Sequence, residues 1–203
     1  MKRIAWIAAA SAAAALAGCS QMETMMGGSG GWETLFDGKS YANFEPVGDA
    51  NWRIENGLLV ADKGQGYLLT KKSYKDFTIR AEFYAEADTN SGIFIRCNNR
   101  KDIGAANCYE FNIWDTRPGQ EYSTGGIVDT AKVNPPPKAG GKWNTYEVTA
   151  KGDHLISVLN GVKVAEAHNG KHAEGPFALQ RFNGNDKTTP IAIKWRKVEI
   201  KPL

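Results

Sequence analysis

The stretch from residue 76 to residue 87 reads DFTIRAEFYAEA. Apolar side chains occupy every second position from residue 77 to residue 85, and Thr, Arg, Glu and Tyr fill the positions between. Side chains of a β-strand point alternately to its two faces, so this period-two pattern indicates a strand with one buried face. The stretch therefore predicts a sheet that is packed on one side and more exposed on the other.

Similar short patterns recur along most of the remaining chain. Asn160-Gly161 joins two alternating runs, which is the strongest local signal for a hairpin, and Glu55-Asn56-Gly57 marks a further turn. No segment after residue 31 has convincing helical periodicity. Many short antiparallel strands with frequent turns predict an all-β fold, a sandwich or a barrel. Further runs that indicate strands begin at Trp52, Gly66, Ser91, Cys108, Asn144, Gly175 and Ile191.

The N-terminus is organised like a bacterial lipoprotein signal. Lys2 and Arg3 precede an apolar, alanine-rich run that is shorter than the about 20 residues a bilayer span needs. The run ends in LAGC (16–19), which resembles a lipobox; an ordinary secretory signal is the alternative. The expected organisation is a signal peptide (1–18), a flexible tether (19–31) that begins with the lipidated Cys19, and one β-sandwich domain (32–203).

The expected lipid anchor also bears on location and on the other cysteines. Ser20 follows Cys19, and no Asp there signals retention in the inner membrane, so the outer membrane facing the periplasm is favoured. That compartment permits disulfides, and we expect Cys97 and Cys108 to form one. A metal site at these thiols is the weaker alternative, because the chain has no CxxC pair.

Charge and motifs exclude several function classes. The chain has 25 basic and 22 acidic side chains, and they are dispersed without a block of like charge. Nucleic acid binding needs concentrated positive charge, so we expect no nucleic acid partner and contact with the membrane only through the lipid. No nucleotide-binding glycine loop, nucleophile elbow or HExxH motif is present, so no redox cofactor is expected.

Nine segments follow one another in a recognisable order. They are WETLFDGKS (32–40), WRIENGLL (52–59), YKDFTIRAEF (74–83), NSGIFIR (90–96), YEFNIWD (109–115), TGGI (124–127), KWNTYEV (142–148), LNG (159–161) and GPFALQ (175–180). Taken together they resemble the 3-keto-disaccharide hydrolase family, whose fold is the concanavalin A-like jelly roll. The sequence departs from the family pattern at Asn112, where Gln is usual, and also at Val128 and Phe182.

The resemblance implies an enzyme that cleaves 3-keto-glucosides or 3-keto-disaccharides by hydrolysis or elimination, with a small carbohydrate as its ligand. Its chemistry needs one base for the proton on C2 and one cationic group or metal for the enolate oxygen. Glu110 is the candidate base and Arg96 the candidate cation, while Asp115 is expected to support a metal or a loop. Glu110 and Asp115 are five residues apart and point to opposite faces of a regular strand, so the paired carboxylates of an ordinary retaining glucanase are not expected.

Substrate binding is assigned to four further side chains. Gln180 and Asn112 are expected to donate hydrogen bonds to sugar hydroxyls, Trp114 to stack on a sugar ring, and Asn90 to contact the substrate. Each residue also has a structural interpretation: Trp114 could belong to the core, and Asn90-Ser91-Gly92 could be a strand-entry turn. No metal ligands are assigned, although a divalent cation stays open because jelly rolls of this kind often hold calcium.

Three points remain open in the sequence. Glu110 and Arg96 could form a cross-strand ion pair; if Cys97 and Cys108 face each other directly, however, Arg96 points to the opposite side of the sheet from Glu110. The long irregular segment 116–142 could carry function or be a surface connection. A non-catalytic carbohydrate-binding lipoprotein and a structural envelope lipoprotein are the alternatives to the enzyme.

Overall fold

A computed structural model describes residues 31–203. The expected signal peptide, the lipidated Cys19 and the expected tether up to residue 30 lie outside the described residues. Within the described part of the chain, no helix is long and apolar enough to cross a membrane.

Two antiparallel sheets make up the fold, which confirms the predicted all-β sandwich. Their strands are β1 Glu33–Phe36, β2 Phe44–Gly48, β3 Arg53–Glu55, β4 Leu58–Ala61, β5 Gly66–Thr70, β6 Phe77–Ala85, β7 Ser91–Ile95, β8 Tyr109–Ile113, β9 Lys142–Lys151, β10 His154–Leu159, β11 Val162–His168, β12 Ala178–Arg181 and β13 Ile193–Pro202. The eight-stranded sheet has the order β11-β10-β9-β6-β13-β4-β3, and β1 also pairs with β13. The five-stranded sheet has the order β2-β5-β12-β7-β8.

The main core lies between the two sheets, and β6 shows how the sequence creates it. Burial alternates along this strand as predicted: Phe77, Ile79, Ala81 and Phe83 are fully buried, whereas the residues between them are partly exposed. Burying one large apolar side chain stabilises the fold by about 1.5–3 kcal/mol. The alternation therefore fixes which face of β6 is turned inward.

The three central strands of the five-stranded sheet are buried on both faces. Every residue of β5, β7 and β12 is buried. One face packs against the eight-stranded sheet through residues such as Leu68, Ile93 and Leu179. The opposite face, termed the outer face below, carries a second and smaller apolar cluster, which consists of Tyr67, Leu69, Phe94, Cys97, Ile103, Cys108 and Ala178.

Two hairpin turns have the geometry that their sequences predict. The φ angles are +52° at Asn160 and +80° at Gly161, and +50° at Asn56 and +77° at Gly57. The tight turns that suit hairpins need positive φ at both central residues, which Asn-Gly tolerates. The run that begins at Trp52 is therefore two strands, β3 and β4, joined by such a turn.

Segment 116–142 lies against β8. Ile127 is fully buried and forms a β-bridge with Phe111, and the Val128 amide donates to the Glu110 carbonyl at 2.9 Å. A single 3₁₀ turn, Gln120–Tyr122, interrupts the segment. The segment is thus part of the packed structure and borders the strand that carries Glu110.

A disulfide joins Cys97 and Cys108, as predicted. It links the chain just after β7 to the residue just before β8. Between these strands Glu110 pairs with Phe94, and Tyr109 pairs with Ile95. Because Phe94 belongs to the apolar cluster of the outer face, this register places Glu110 on the outer face as well.

Candidate functional site

Strand register brings five of the predicted site residues to one surface. Gly92 pairs with Asn112 across β7 and β8, and Gln180 of β12 approaches Gly92 from the other side. Glu110 lies two residues before Asn112 on β8 and therefore shares its face, and Trp114 follows two residues after Asn112, just beyond the end of the strand. The outer face therefore carries, around Gly92, the side chains of Glu110, Asn112, Trp114, Gln180 and the neighbouring Asn90.

Glu110 has the properties of a base that works near neutral pH. Its side chain is half-buried, and its carboxylate accepts no hydrogen bond from any residue between 31 and 203. Burial raises the pKa of Glu110 to about 7; the positive charge of Arg117 opposes this rise, and the negative charge of Asp129 adds to it. A carboxylate in this state can accept a proton from a ligand without first giving up a protein partner.

The Asn112 side chain is held in one orientation. It is almost fully buried, and its Nδ2 donates to the Tyr122 carbonyl at 2.7 Å. Its Oδ1 has no hydrogen-bond partner within the described part of the chain. The predicted role as a donor is corrected: the donor of Asn112 is used by the protein, and its free atom is an acceptor.

Gln180 presents the same kind of atom on the other side of Gly92. Its Oε1 is buried without a partner among residues 31–203, and it lies 3.6 Å from the position that a Cβ on Gly92 would occupy. Burial raises the pKa of Tyr67 to about 12, and the neighbouring Gln180 side-chain amide limits this rise. Gln180 is therefore oriented with its oxygen toward Gly92, so it too offers an acceptor there.

Trp114 and Asn90 lie at one end of this surface, where Asp88 accepts hydrogen bonds from several chain segments. The Trp114 indole Nε1 donates to Asp88 Oδ1 at 3.0 Å, and Asn90 Nδ2 donates to the Asn183 carbonyl at 2.9 Å. Burial of Asp88 acts to raise its pKa, but hydrogen bonds from Thr116, Trp114 and the chain at residues 185–186 outweigh it and lower the pKa to about 2. Trp114 is thus fixed and half-buried at the rim.

Arg96 does not belong to the site, which corrects the prediction that it faces Glu110. Its φ of +51° departs from the strand conformation and turns the side chain away from the outer face. The guanidinium is 1% exposed and donates to the carbonyls of Lys75 and Gly152 and to Asp76 Oδ1, at 2.8, 2.6 and 3.0 Å. Arg96 is a structural cation that joins three chain segments.

Asp115 anchors a loop, which is one of the two roles expected for it. Its buried carboxylate accepts hydrogen bonds from Thr124 Oγ1 at 2.6 Å and from the amides of Ala139 and Gly140 at 3.0 and 2.9 Å. These donors use both oxygens, so the expected support of a metal by Asp115 does not fit the geometry. No group of three or more His, Cys, Asp or Glu side chains in the described chain is placed to hold a metal ion.

Four residues at this surface were not predicted as site residues. Gly92 forms the floor between the two amides, Tyr67 and Phe94 pack edge to face beside it with ring centroids 5.2 Å apart, and Arg117 supplies the nearby positive charge. A glycine inside a strand permits close approach of another group, and in the sequence this signal at Gly92 was interpreted as a strand-entry turn. Arg117 gave no comparable signal, because its position depends on the fold of segment 116–142.

Comparisons with solved structures agree with the fold. A candidate glycosyl hydrolase from Parabacteroides distasonis superimposes with a TM-score of 0.72 at 18% identity, covering 85% of this chain and 94% of that one. A second such protein from the same organism gives 0.69 at 24% identity, covering 85% and 99%. Lectin I-B4 from Griffonia simplicifolia gives 0.56 at 15% identity, covering 84% and 98%, in accord with the predicted jelly roll.

Sequence comparison supplies the family. No protein of curated function matches the chain. The family described as "3-keto-alpha-glucoside-1,2-lyase-like domain" matches residues 31–201, which is nearly all of the described structure. The resemblance seen in the nine segments is thereby confirmed, and the chain belongs to the 3-keto-α-glucoside-1,2-lyase-like domain family.

Proposed function

We propose that the chain is a carbohydrate-active enzyme that cleaves 3-keto-glucosides or 3-keto-disaccharides, with Glu110 as its base. Family membership supports a protein that acts on carbohydrate. The observation that carries the proposal is the state of Glu110: a half-buried carboxylate on the outer face, free of protein hydrogen bonds from residues 31–203, with a pKa of about 7.

The arrangement favours base-initiated elimination over direct displacement at the anomeric carbon. Glu110 is the one carboxylate that β7, β8 and β12 place on the outer face, and Asp115 is committed to the loop. A glycosidase of the ordinary kind needs two carboxyl groups on either side of the bond. A ketone at C3 removes that need because it acidifies the hydrogen on C2.

The proposed reaction starts with transfer of the C2 proton to Glu110. The electron pair of the C–H bond forms an enolate, with its charge on the C3 oxygen. Re-formation of the C3 carbonyl then makes a C1=C2 double bond and breaks the bond from C1 to the aglycone. The departing alkoxide takes up a proton from Glu110 or solvent. Water adding across the double bond completes hydrolysis, so one route accounts for both kinds of product.

Arg117 takes the electrostatic role that Arg96 cannot fill. It lies in electrostatic reach of Glu110, as its effect on the pKa of Glu110 requires. A positive charge there would stabilise an enolate as charge develops on the C3 oxygen. Its guanidinium is anchored by the carbonyls of Pro118 and Gly119, at 3.0 and 3.2 Å.

Turnover by the full chain tests the proposal. We expect 3-ketotrehalose to be cleaved and trehalose, which lacks the ketone, to be left intact. Glu110→Gln should abolish cleavage, because an amide cannot accept the C2 proton, whereas Glu174→Gln, which changes an exposed glutamate, should cleave at the wild-type rate. Product analysis by NMR distinguishes the unsaturated sugar of elimination from the hydrated one. Cleavage by Glu110→Gln at an undiminished rate contradicts the proposal.

The second candidate is carbohydrate binding without turnover. Asn112 favours this candidate. The family pattern usually has Gln at this position of the site, and Asn is shorter by one methylene. Saturable binding of the 3-keto sugar without any product, lost in Trp114→Ala, is the result that would select it.

We further propose that the enzyme is held in the cell envelope by a lipid on Cys19, at the outer membrane facing the periplasm. The lipobox-like LAGC (16–19) supports this location. The wild-type chain should incorporate labelled fatty acid and sediment with membranes, and Cys19→Ser should do neither. An unlabelled wild-type chain would exclude the anchor.

A further inference from the structure

Two buried acceptors flank Gly92, and their free atoms require an explanation. Gln180 is 6% and Asn112 1% exposed, yet Gln180 Oε1 and Asn112 Oδ1 lack partners among the residues that the structure describes. Leaving a buried acceptor unpaired costs about 1–3 kcal/mol, and native proteins keep few of them. Two such atoms on the same surface, beside the proposed base, indicate a ligand that supplies the donors.

The Asn112 side-chain amide is held in one orientation by its hydrogen bond to Tyr122. Rotating Asn112 by half a turn would set its oxygen against the Tyr122 carbonyl, which now accepts from Nδ2 at 2.7 Å. The Asn112 backbone is also fixed, since its amide donates to the Gly126 carbonyl and its carbonyl accepts from the Gly125 amide, at 3.0 and 2.9 Å. The backbone carbonyl of Gln180 accepts from Ser91 Oγ at 2.6 Å, which fixes the main chain that carries the Gln180 side chain. The unpaired atom of Asn112 is therefore an acceptor, and Gln180 Oε1 lies beside Gly92 as a second unpaired acceptor among residues 31–203.

Gly92 places no side chain between the two amides. A Cβ there would lie 3.6 Å from Gln180 Oε1 and only 2.9 Å from the Phe111 carbonyl. Gly92 of β7 stands between Gln180 of β12 and Asn112 of β8, and neighbouring strands lie about 5 Å apart. The gap between the two acceptors is therefore one residue wide. We call this gap, bounded by Gly92, Gln180 and Asn112, the acceptor notch.

We propose that the acceptor notch selects a sugar ring through two of its hydroxyl groups, which donate to Gln180 Oε1 and Asn112 Oδ1, and that it excludes a carbonyl group. This inference rests on the proposed function and names the chemistry by which the same site recognises its ligand. A ketone oxygen has no proton to donate and would face a second acceptor. The oxidised carbon of a 3-keto sugar must therefore lie outside the notch, on the side of Glu110 and Arg117.

The test measures binding and does not depend on cleavage. Methyl α-glucoside and its monodeoxy analogues are titrated against the full chain and against Gln180→Met, with Gln65→Met, an exposed glutamine, as the matched control. Two of the deoxy analogues should bind the wild-type chain about ten- to a hundredfold more weakly than the parent sugar. In Gln180→Met one of these two losses should disappear, because the hydroxyl concerned no longer has its partner.

Thermal unfolding separates this role from a structural one. Gln180→Met removes a buried unpaired acceptor, so its Tm should equal or exceed that of Gln65→Met while its affinity for methyl α-glucoside falls about tenfold or more. Equal affinity in the two variants, or wild-type binding indifferent to every hydroxyl, overturns the inference. So does calcium binding by the wild-type chain that is lost in Gln180→Met, since the oxygens would then be cation ligands. Failure of the proposed function is a different result: absence of 3-ketotrehalose cleavage with the hydroxyl dependence intact.

Discussion

At the scale of single residues, environment separates the roles of charged side chains that look alike in the sequence. Glu110 and Asp115 lie on one short stretch, but Asp115 accepts from three donors, whereas the Glu110 carboxylate accepts from none of residues 31–203 and has a raised pKa. Arg96 and Arg117 differ in the same way: three carbonyls and a carboxylate enclose Arg96, whereas Arg117 is in electrostatic reach of Glu110. These environments support the roles proposed for Glu110 and Arg117.

The pH dependence of cleavage should report the ionisation of Glu110. A base must be deprotonated to act, so kcat/KM should rise with pH and level off above a midpoint near 7. Arg117→Met should move the midpoint upward, because Arg117 lowers the pKa of Glu110; Arg80→Met, on the other sheet, should leave it in place. A midpoint near 4.5 in the wild-type chain would mean that burial does not act on this carboxylate as described.

The same ionisation predicts a stability change in Glu110→Gln. Between pH 4.5 and about 7 the folded chain holds the Glu110 proton more tightly than the unfolded chain, so the free energy of unfolding falls as pH rises through this window. Gln does not ionise and avoids this loss. Urea unfolding should show the variant more stable by roughly 2 kcal/mol at pH 8, a value reduced for partial exposure, and no different at pH 4. A variant that is less stable at pH 8 would contradict the assignment.

At the scale of elements, β8 and segment 116–142 act as one unit. β8 supplies Glu110 and Asn112, and the segment supplies the Tyr122 carbonyl that orients Asn112 and the Arg117 charge. Asp115 joins the two parts through its hydrogen bonds to Thr124, Ala139 and Gly140. The geometry of the site thus depends on a carboxylate that does not face it.

Asp115→Ala tests that dependence. Three donors lose a buried, charged acceptor, so we expect a loss of about 3 kcal/mol in the free energy of unfolding. Cleavage of 3-ketotrehalose should fall at least tenfold in protein that is still folded, because Arg117 and Asn112 lose their support. Asp37→Asn, at an exposed turn, is the control and should change neither quantity. Full activity in Asp115→Ala would show that the segment does not shape the site.

Sequence patterns predict these elements better than they predict the site. The alternation of β6 and the Asn-Gly turns are local signals, and each led to the observed structure. The direction of Arg96 depends on one backbone angle, +51°, which no local pattern encodes. The amide orientations depend on partners that only the fold supplies, such as Tyr122 for Asn112, so donors were expected where the structure has acceptors.

At the scale of the whole molecule, a sandwich of two sheets gives the site a rigid base. The three central strands of the five-stranded sheet, β5, β12 and β7, are buried on both faces, so they hold Tyr67, Gln180 and Gly92 in fixed register. The Cys97–Cys108 disulfide closes the connection between β7, which carries Gly92 at the floor of the acceptor notch, and β8, which carries Glu110.

Removal of the disulfide should lower the stability of the whole domain. The bridge closes a loop with a sequence separation of 11, for which the loss of chain entropy predicts about 3 kcal/mol. The Cys97→Ser/Cys108→Ser double variant should therefore unfold at lower urea than the wild-type chain, and reducing agent should bring the wild-type chain to a similar midpoint. Gln65→Met, at an exposed position, serves as the control and should unfold at the wild-type midpoint. Identical midpoints with and without the bridge would contradict this.

The kinetic isotope effect at C2 tests most directly whether Glu110 is the base of a glycoside-cleaving reaction. Cleavage rates are compared for 3-ketotrehalose with hydrogen and with deuterium at C2 of the oxidised ring, under conditions where both substrates bind. The account predicts slower cleavage of the deuterated sugar by the wild-type chain and no cleavage of either by Glu110→Gln. Equal rates for the two sugars, together with cleavage that persists in Glu110→Gln, would contradict it.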